Sequence, residues 1–275
     1  MSARRPEKRD HCARVASVRP QENSGATVRQ KPGRRISVHR LPADFAPERY
    51  RGANAVVIDA LRATSTVITA LHHGCREVHP VFEVEEALSL KSRFAAGEVL
   101  LGGERHGFRI TGFDLGNSPL EYTREKVAGK HLILTTTNGT RAMRQTGLAH
   151  RTLLLAFLNL EAVAARLQKE PLDLHILCSG RNGDRSLEDE VCAGMLIDLL
   201  TANAAAARGW TLDEPARETL GLARTHRDDL LAMMQASPHG RFLAENGFGA
   251  DLTVCARLNR IPIVPELQDG TIRLI

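Results

Sequence analysis

Several absences narrow this chain of 275 residues before anything positive is read from it. No apolar run approaches the length needed to cross a bilayer, and the first 35 residues lack the apolar centre of a secretory signal. No G-x-x-x-x-G-K-[ST] and no post-strand G-x-G-x-x-G occur, so sites for nucleoside triphosphates and dinucleotides lack their usual fingerprints. The strand-end aspartate Asp59 does not continue as D-x-D, the pattern of aspartyl-phosphate phosphatases, and His and Cys show no zinc spacing. Five cysteines (Cys12, Cys75, Cys178, Cys192, Cys255) form no C-x-x-C and lie scattered among apolar neighbours. That pattern predicts reduced thiols in a cytoplasm.

With 43% apolar residues the chain can bury a large core as one α/β domain or two smaller ones. The net charge of +5 is unevenly spread. Residues 1–35 carry ten Lys/Arg against three acids, a surplus of seven, which leaves −2 for the remainder. The expectation is a disordered basic tail over 1–35, read as a solvated extension and not as a nucleic-acid arm.

Short strands are expected at RISVHR, AVVIDA, EVHPVF, EVLLGGE, HLILTT, TLLLAFLN and LDLHILCSG. Helices fit RATSTVITALHHG, EVEEALSLKSRFAAG, LEAVAARLQK and LEDEVCAGMLIDLL, with a final strand pair around IPIVP and TIRLI. Alternation of this kind predicts α/β architecture, a mostly parallel sheet with helices on both faces. Two lobes, 36–150 and 151–275, are expected with the site between them. Ligands of such sheets gather at the carboxyl ends of strands. Those ends are polar here: Asp59, Gly102 to Arg105, Thr135 to Arg141, Asn159, and Ser179 to Asp189.

TTTNGTRA (135–142) follows an apolar strand and leads into helical spacing, so it reads as strand, polar loop and short helix. Its hydroxyls and N–H groups make a ready anion site, against the alternative of an Asn-Gly hairpin. In DALRATST, Asp59 ends an all-apolar strand and must be paired or hold a metal to offset its desolvation. LGGERHGFRITGFDLGNSP is long, Gly-punctuated and rich in Glu104, Arg105, His106, Arg109, Asp114, Asn117 and Ser118, as a binding loop would be. In CSGRNGDRSLEDE, six residues separate Cys178 from Arg185, one too many for the C-x5-R phosphate loop, so Cys178 reads as a core thiol. SLED fits a helix cap with Ser186 at the N-cap, which leaves Glu188 and Asp189 open to either a structural or a catalytic role. The inventory as a whole suits Mg²⁺ and a small, multiply anionic phosphorylated substrate.

VVIDALRATSTVITAL, LLGGERHGFRITGFDLGNSPLEYT, LILTTTNGTRA, FLNL, CSGRNGDRSLEDEVCAG, SPHGRFLAENGFGADLTVCARLN and IPIVPEL, in this order, closely resemble the 2-phosphosulfolactate phosphatase family of coenzyme M biosynthesis. The resemblance covers residues 36–275. It implies Mg²⁺-dependent hydrolysis of 2-phospho-3-sulfolactate to 3-sulfolactate and phosphate. The resemblance fixes the family; the residues themselves suggest that Mg²⁺ is held by Asp59 with Glu104 or Asp114. Arg62, Arg105, Arg109 and Arg141 balance substrate charge, and Arg62 and Arg141 do so as the P–O bond breaks. Thr64, Ser65, Asn117, Ser118, Thr135, Thr136, Thr137, Asn138, Gly139, Thr140 and Ser179 contact substrate, and Glu188 or Asp189 orients the attacking water. A phospho-aspartyl intermediate at Asp59, another phosphorylated hydroxy acid as substrate, and a non-catalytic binder of phosphorylated acids stay open as alternatives. No membrane partner is expected, and a homo-oligomer is compatible with the sequence.

Overall fold

The computed structural model describes residues 33–202 and 209–275, with Met1, Ser2 and Ala206. Gly33–Ile275 is one compact unit. The tail expectation falls outside the described residues up to 32; Arg34 and Arg35, counted with the tail, belong to the first strand, where Arg34 stacks on Trp210 at 3.8 Å.

The strands are β1 (Arg34–His39), β2 (Asn54–Ile58), β3 (Glu77–Val81), β4 (Val99–Arg105), β5 (Phe108–Arg109), β6 (His131–Thr135), β7 (Arg151–Leu155), β8 (Leu174–Cys178), β9 (Trp210–Leu212), β10 (Pro265–Gln268) and β11 (Thr271–Leu274). The α-helices are α1 (Ala63–His72), α2 (Val84–Lys91), α3 (Arg124–Val127), α4 (Gly139–Arg144), α5 (Leu160–Gln168), α6 (Leu187–Leu200), α7 (Glu214–His226), α8 (Leu230–Ala236), α9 (Pro238–Glu245) and α10 (Gly249–Cys255). One 11-stranded, mostly parallel sheet runs in the order β5-β4-β6-β3-β11-β10-β7-β2-β8-β1-β9.

All five residues of β2 are buried because both faces of the sheet are covered. Val56 and Ile58 join the core with α5 and α6, while Val57 joins the core with α1 and α4. Each such side chain contributes about 1.5–3 kcal/mol of burial, which is why an uninterrupted apolar run is needed there.

The pairing pattern gives the sheet an unusual sense. β3, β4 and β6 are mutually parallel, as are β1, β2, β7, β8 and β9. Between these groups the β10–β11 hairpin is antiparallel to β7 on one side and to β3 on the other. Three successive antiparallel pairings therefore join the two parallel halves.

Three expectations are corrected. The division at residue 150 is not reflected in the sheet, since β2 lies hydrogen-bonded between β7 and β8. The late strand is Pro265–Gln268 and not IPIVP; Pro262 and Pro265 cannot donate to a ladder, and Pro265 occupies the first strand position. Part of the Gly-punctuated loop is a β4–β5 hairpin, in which Glu104 pairs with Arg109 and Arg105 with Phe108. His106 and Gly107 turn it at φ 54° and 87°, the left-handed geometry a two-residue hairpin turn requires.

Candidate active site

The carboxyl ends of β2, β4, β6 and β8 meet around a cavity of about 160 Å³. TTTNGTRA closes one side of it. Thr136 and Thr140 bond reciprocally: Thr140 N–H donates to Thr136 Oγ1 at 3.1 Å, and Thr140 Oγ1 donates to the Thr136 carbonyl at 2.8 Å. This turn starts α4 at Gly139 and confirms the strand, loop and helix reading over the hairpin. Thr137 and Asn138 line the cavity, and the N–H groups of Asn138 and Gly139 donate to no acceptor among the described residues. Gly139 is required by close approach: a Cβ there would lie 2.6 Å from Ala63 Cβ and 2.7 Å from Asp59 Oδ2.

Glu104 supports that side. Its Oε1 accepts from Thr137 N–H at 2.7 Å, and its Oε2 accepts from Gly107 N–H at 2.7 Å and Thr137 Oγ1 at 3.2 Å. Both carboxylate oxygens are thus engaged in holding two loops.

The opposite side is built from β2, β8 and α6, and its acids are crowded. Asp59 Oδ1 accepts from Ala63 N–H at 3.2 Å. Burial raises the Asp59 pKa to about 6, a push that His239 and the Ala63 N–H oppose and Glu104 reinforces. Asp189 stands behind it, accepting from Ala60 N–H at 2.8 Å, Ser179 Oγ at 3.1 Å and Gly180 N–H at 3.2 Å. Burial, followed by the charges of Asp59 and Glu188, drives the Asp189 pKa well up. Asp189 N–H donates to Ser186 Oγ at 3.3 Å, so the SLED cap forms and delivers Glu188 and Asp189 into the interior.

Glu188 is 1% exposed, and its Oε1 lies 3.3 Å from His239 Nδ1 without a well-aligned hydrogen bond. Burial works against its charge, yet His239 holds the carboxyl below the usual range. Ser237 caps α9 and Pro238 opens it, which sets His239 in the first turn, facing the cavity.

Positive charge comes from two arginines. Arg62 is buried; it donates to Asp251 Oδ2 and to the Gly107 carbonyl, each at 2.8 Å, and lies over the Phe248 ring at 4.4 Å. Arg181 stacks on Phe242 at 4.5 Å and makes no ion pair among the described residues.

The other expected site residues divide clearly. Asn117 lines the cavity and has a buried Oδ1 without a partner. Ser118 donates to Asp251 Oδ1 at 2.6 Å, and Ser179 to Asp189, so both position other groups. The hydroxyls of Thr64 and Ser65 return to the carbonyls of Asp59 and Ala60, and Thr135 Oγ1 donates to Phe82 O. Arg105 turns away to Phe82 O and Thr135, while Arg109 is exposed on β5. Asp114 accepts from Leu101 N–H at 2.8 Å and ties the loop to β4, so it does not join Asp59 and Glu104 at the cavity. Arg141 is exposed on the outer face of α4 and does not line the cavity. Of the four arginines expected to balance substrate charge, Arg62 alone lines it. His239, Arg181, Asn182 and Asp251 were not singled out from sequence, although all four lie in the motifs CSGRNGDRSLEDE and SPHGRFLAENGFGADLTVC.

An α/β fold with a small cavity of mixed charge at its strand ends is the class these features define. A family model described as 2-phosphosulpholactate phosphatase matches residues 40–270. A protein of Caldanaerobacter subterraneus subsp. tengcongensis named "Probable 2-phosphosulfolactate phosphatase" is 41% identical over 220 residues, covering 80% of this chain and 90% of its own length. Similar proteins of the same name from Clostridium beijerinckii and Symbiobacterium thermophilum are each 38% identical, covering 83% of this chain and 94% and 97% of their own lengths. The chain is a phosphoric monoester hydrolase and belongs to the 2-phosphosulfolactate phosphatase family.

Proposed function

We propose that the chain hydrolyses 2-phospho-3-sulfolactate to 3-sulfolactate and phosphate, assisted by Mg²⁺. The observation that carries this reading is a cavity of mixed charge. Asp59 and Glu104 line it together with Arg62, Arg181 and an unpartnered Asn117 Oδ1. A substrate carrying phosphate, sulfonate and carboxylate cannot approach Asp59 unless a cation intervenes.

The donor set fits such a cation. Asp59 and the unpartnered Oδ1 of Asn117 each offer oxygen, as a hard divalent ion prefers, whereas Glu104 has both oxygens committed to N–H and hydroxyl donors. Asp59 and Asn117 would hold the ion, which when bound supplies charge neutralisation for the phosphoryl oxygens.

The protein's own groups do the rest. Arg181, left without a carboxylate partner, matches a planar or tetrahedral oxyanion, and the N–H groups of Asn138 and Gly139 offer further donors. Water adds to phosphorus as the ester P–O bond breaks. His239, held 3.3 Å from the buried Glu188 carboxyl, delivers a proton to the departing alkoxide oxygen, and the proton lost by water leaves with phosphate. Glu188 balances the imidazolium before that transfer. This revises the expectation that Glu188 meets the water directly. Free thiols at Cys75, Cys178, Cys192 and Cys255 suit a cytoplasmic location, and no helix among the described residues is long and apolar enough to cross a membrane.

Steady-state phosphate release tests the reading. The specificity constant for 2-phospho-3-sulfolactate is expected to exceed those for 2-phospholactate and 2-phosphoglycerate by at least tenfold, with EDTA abolishing turnover and Mg²⁺ restoring it. Equal rates on all three would remove the sulfonate from the assignment, and full turnover after exhaustive chelation would remove the metal.

A further inference from the structure

Glu77, His79 and His131 gather at the amino ends of β3 and β6, away from the cavity. Glu77 and His131 are register partners on adjacent parallel strands, and His79, two residues on, shares their face of the sheet. Glu77 Oε1 lies 3.0 Å from His79 Nε2 and 2.9 Å from His131 Nδ1, and one ligand atom of each residue lies within 4.8 Å of the others. His79 Nε2 is buried and without a hydrogen-bond partner.

We propose that these three side chains form a second site, for a borderline divalent transition ion of which Zn²⁺ is the representative. Two imidazoles and one carboxylate make a three-ligand zinc set with a fourth position for water, whereas a hard ion such as Mg²⁺ prefers oxygen throughout. The surroundings orient each ligand. Arg273 Nε donates to the second Glu77 oxygen at 2.7 Å, and Thr271 Oγ1 lies 3.5 Å from His79 Nδ1. The Phe94 ring packs against both imidazoles, with centroids 5.6 and 4.8 Å away. Outer contacts of this kind fix ring orientation in metal sites. Burial keeps His79 neutral near pH 7. Burial works against the charge of Glu77, yet its partners, hydrogen bonding from Arg273 first among them, hold its carboxyl below the usual range.

The ligands remain 14%, 15% and 19% exposed, and His79 opens onto a groove of about 740 Å³ that gives an ion access. The span of β6, at about 3.3 Å per residue, separates the cluster from Thr135 by more than 10 Å, so the two sites cannot share an ion. Strand register and not sequence spacing assembles the set: His131 comes from a different strand than Glu77 and His79. Because Arg273 and Thr271 belong to β11, an ion here would brace β3 and β6 against the hairpin that joins the two halves of the sheet.

The test uses the full chain without an affinity tag, stripped by chelation and then titrated with Zn²⁺ by calorimetry, with Co²⁺ as a spectroscopic probe. One Zn²⁺ per chain, a raised Tm and visible Co²⁺ bands are expected. His79→Ala and His131→Ala should each weaken Zn²⁺ binding by about tenfold or more and lose those bands; His79→Gln and His131→Gln serve if an alanine variant fails to fold. No Zn²⁺ binding by the wild type, or binding unchanged in these variants, would overturn the proposal.

Discussion

The two sides of the cavity differ in how closely their acids crowd one another. On the β4–β6 side, Glu104 accepts three hydrogen bonds and fixes the Thr137 and Gly107 segments. On the β2–β8 side, Asp59, Asp189 and Glu188 are buried close enough that Asp59 and Glu188 both raise the Asp189 pKa. A satisfied carboxylate holds structure together. Crowded ones carry charge that a cation or a proton must relieve, and perturbed groups of that kind mark reactive sites. On the proposed reading, scaffold falls to one side and chemistry to the other.

The largest effect should come from the crowded side. Asp59→Asn is expected to lower kcat by about 10²–10⁴-fold with the fold retained, as read by phosphate release and circular dichroism. Next, His239→Gln and Glu188→Gln should each cost about a hundredfold in kcat. Their double variant should cost little more than either alone, because the two act as one unit; additive losses would separate Glu188 from the proton transfer.

On the Glu104 side the loss should fall on stability. Glu104→Gln replaces one accepting oxygen by a donor that faces an N–H group, so stability should fall by about 1–3 kcal/mol, measured by urea denaturation. The arginines should give the smallest and most discriminating effects. Arg181→Ala is expected to raise KM about tenfold, in line with the loss of one charge-assisted contact, whereas exposed Arg141→Ala should leave kcat and KM within about twofold.

Much of this was legible in the residues. Apolar runs marked β2, β6, β7 and β8 because strands buried on both faces need them, and SLED and TTTNGTRA announced local turns whose bonds close within a few residues. Asp59 was flagged by its cost at the end of an apolar strand. What stayed hidden depends on long-range placement. The sequence marked Arg105, Arg109 and Arg141 as readily as Arg62, but the β4–β5 hairpin and the face of α4 decide which of them reach the cavity. His239 acquires its role only when α9 packs beside Glu188, 51 residues earlier in the chain. The joining of the two halves of the sheet was likewise invisible, since it follows from where the terminal hairpin inserts.

The contrast between the two sides is tested most directly by the pH dependence of stability in metal-free protein. A carboxyl whose pKa rises on folding holds its proton more tightly in the folded state. Its contribution is therefore undiminished below the unfolded value near 4 and is lost as pH climbs through the folded value of about 6. Wild type should lose roughly 2–3 kcal/mol between pH 4 and 7 through Asp59 alone, and Asp59→Asn should not. At pH 7.5 the inactive variant is then expected to melt above the metal-free wild type, with Mg²⁺ raising the Tm of wild type only. An Asp59→Asn protein that melts below wild type at pH 7.5, or that turns over 2-phospho-3-sulfolactate at a rate near that of wild type, would contradict the assignment of chemistry to the crowded side.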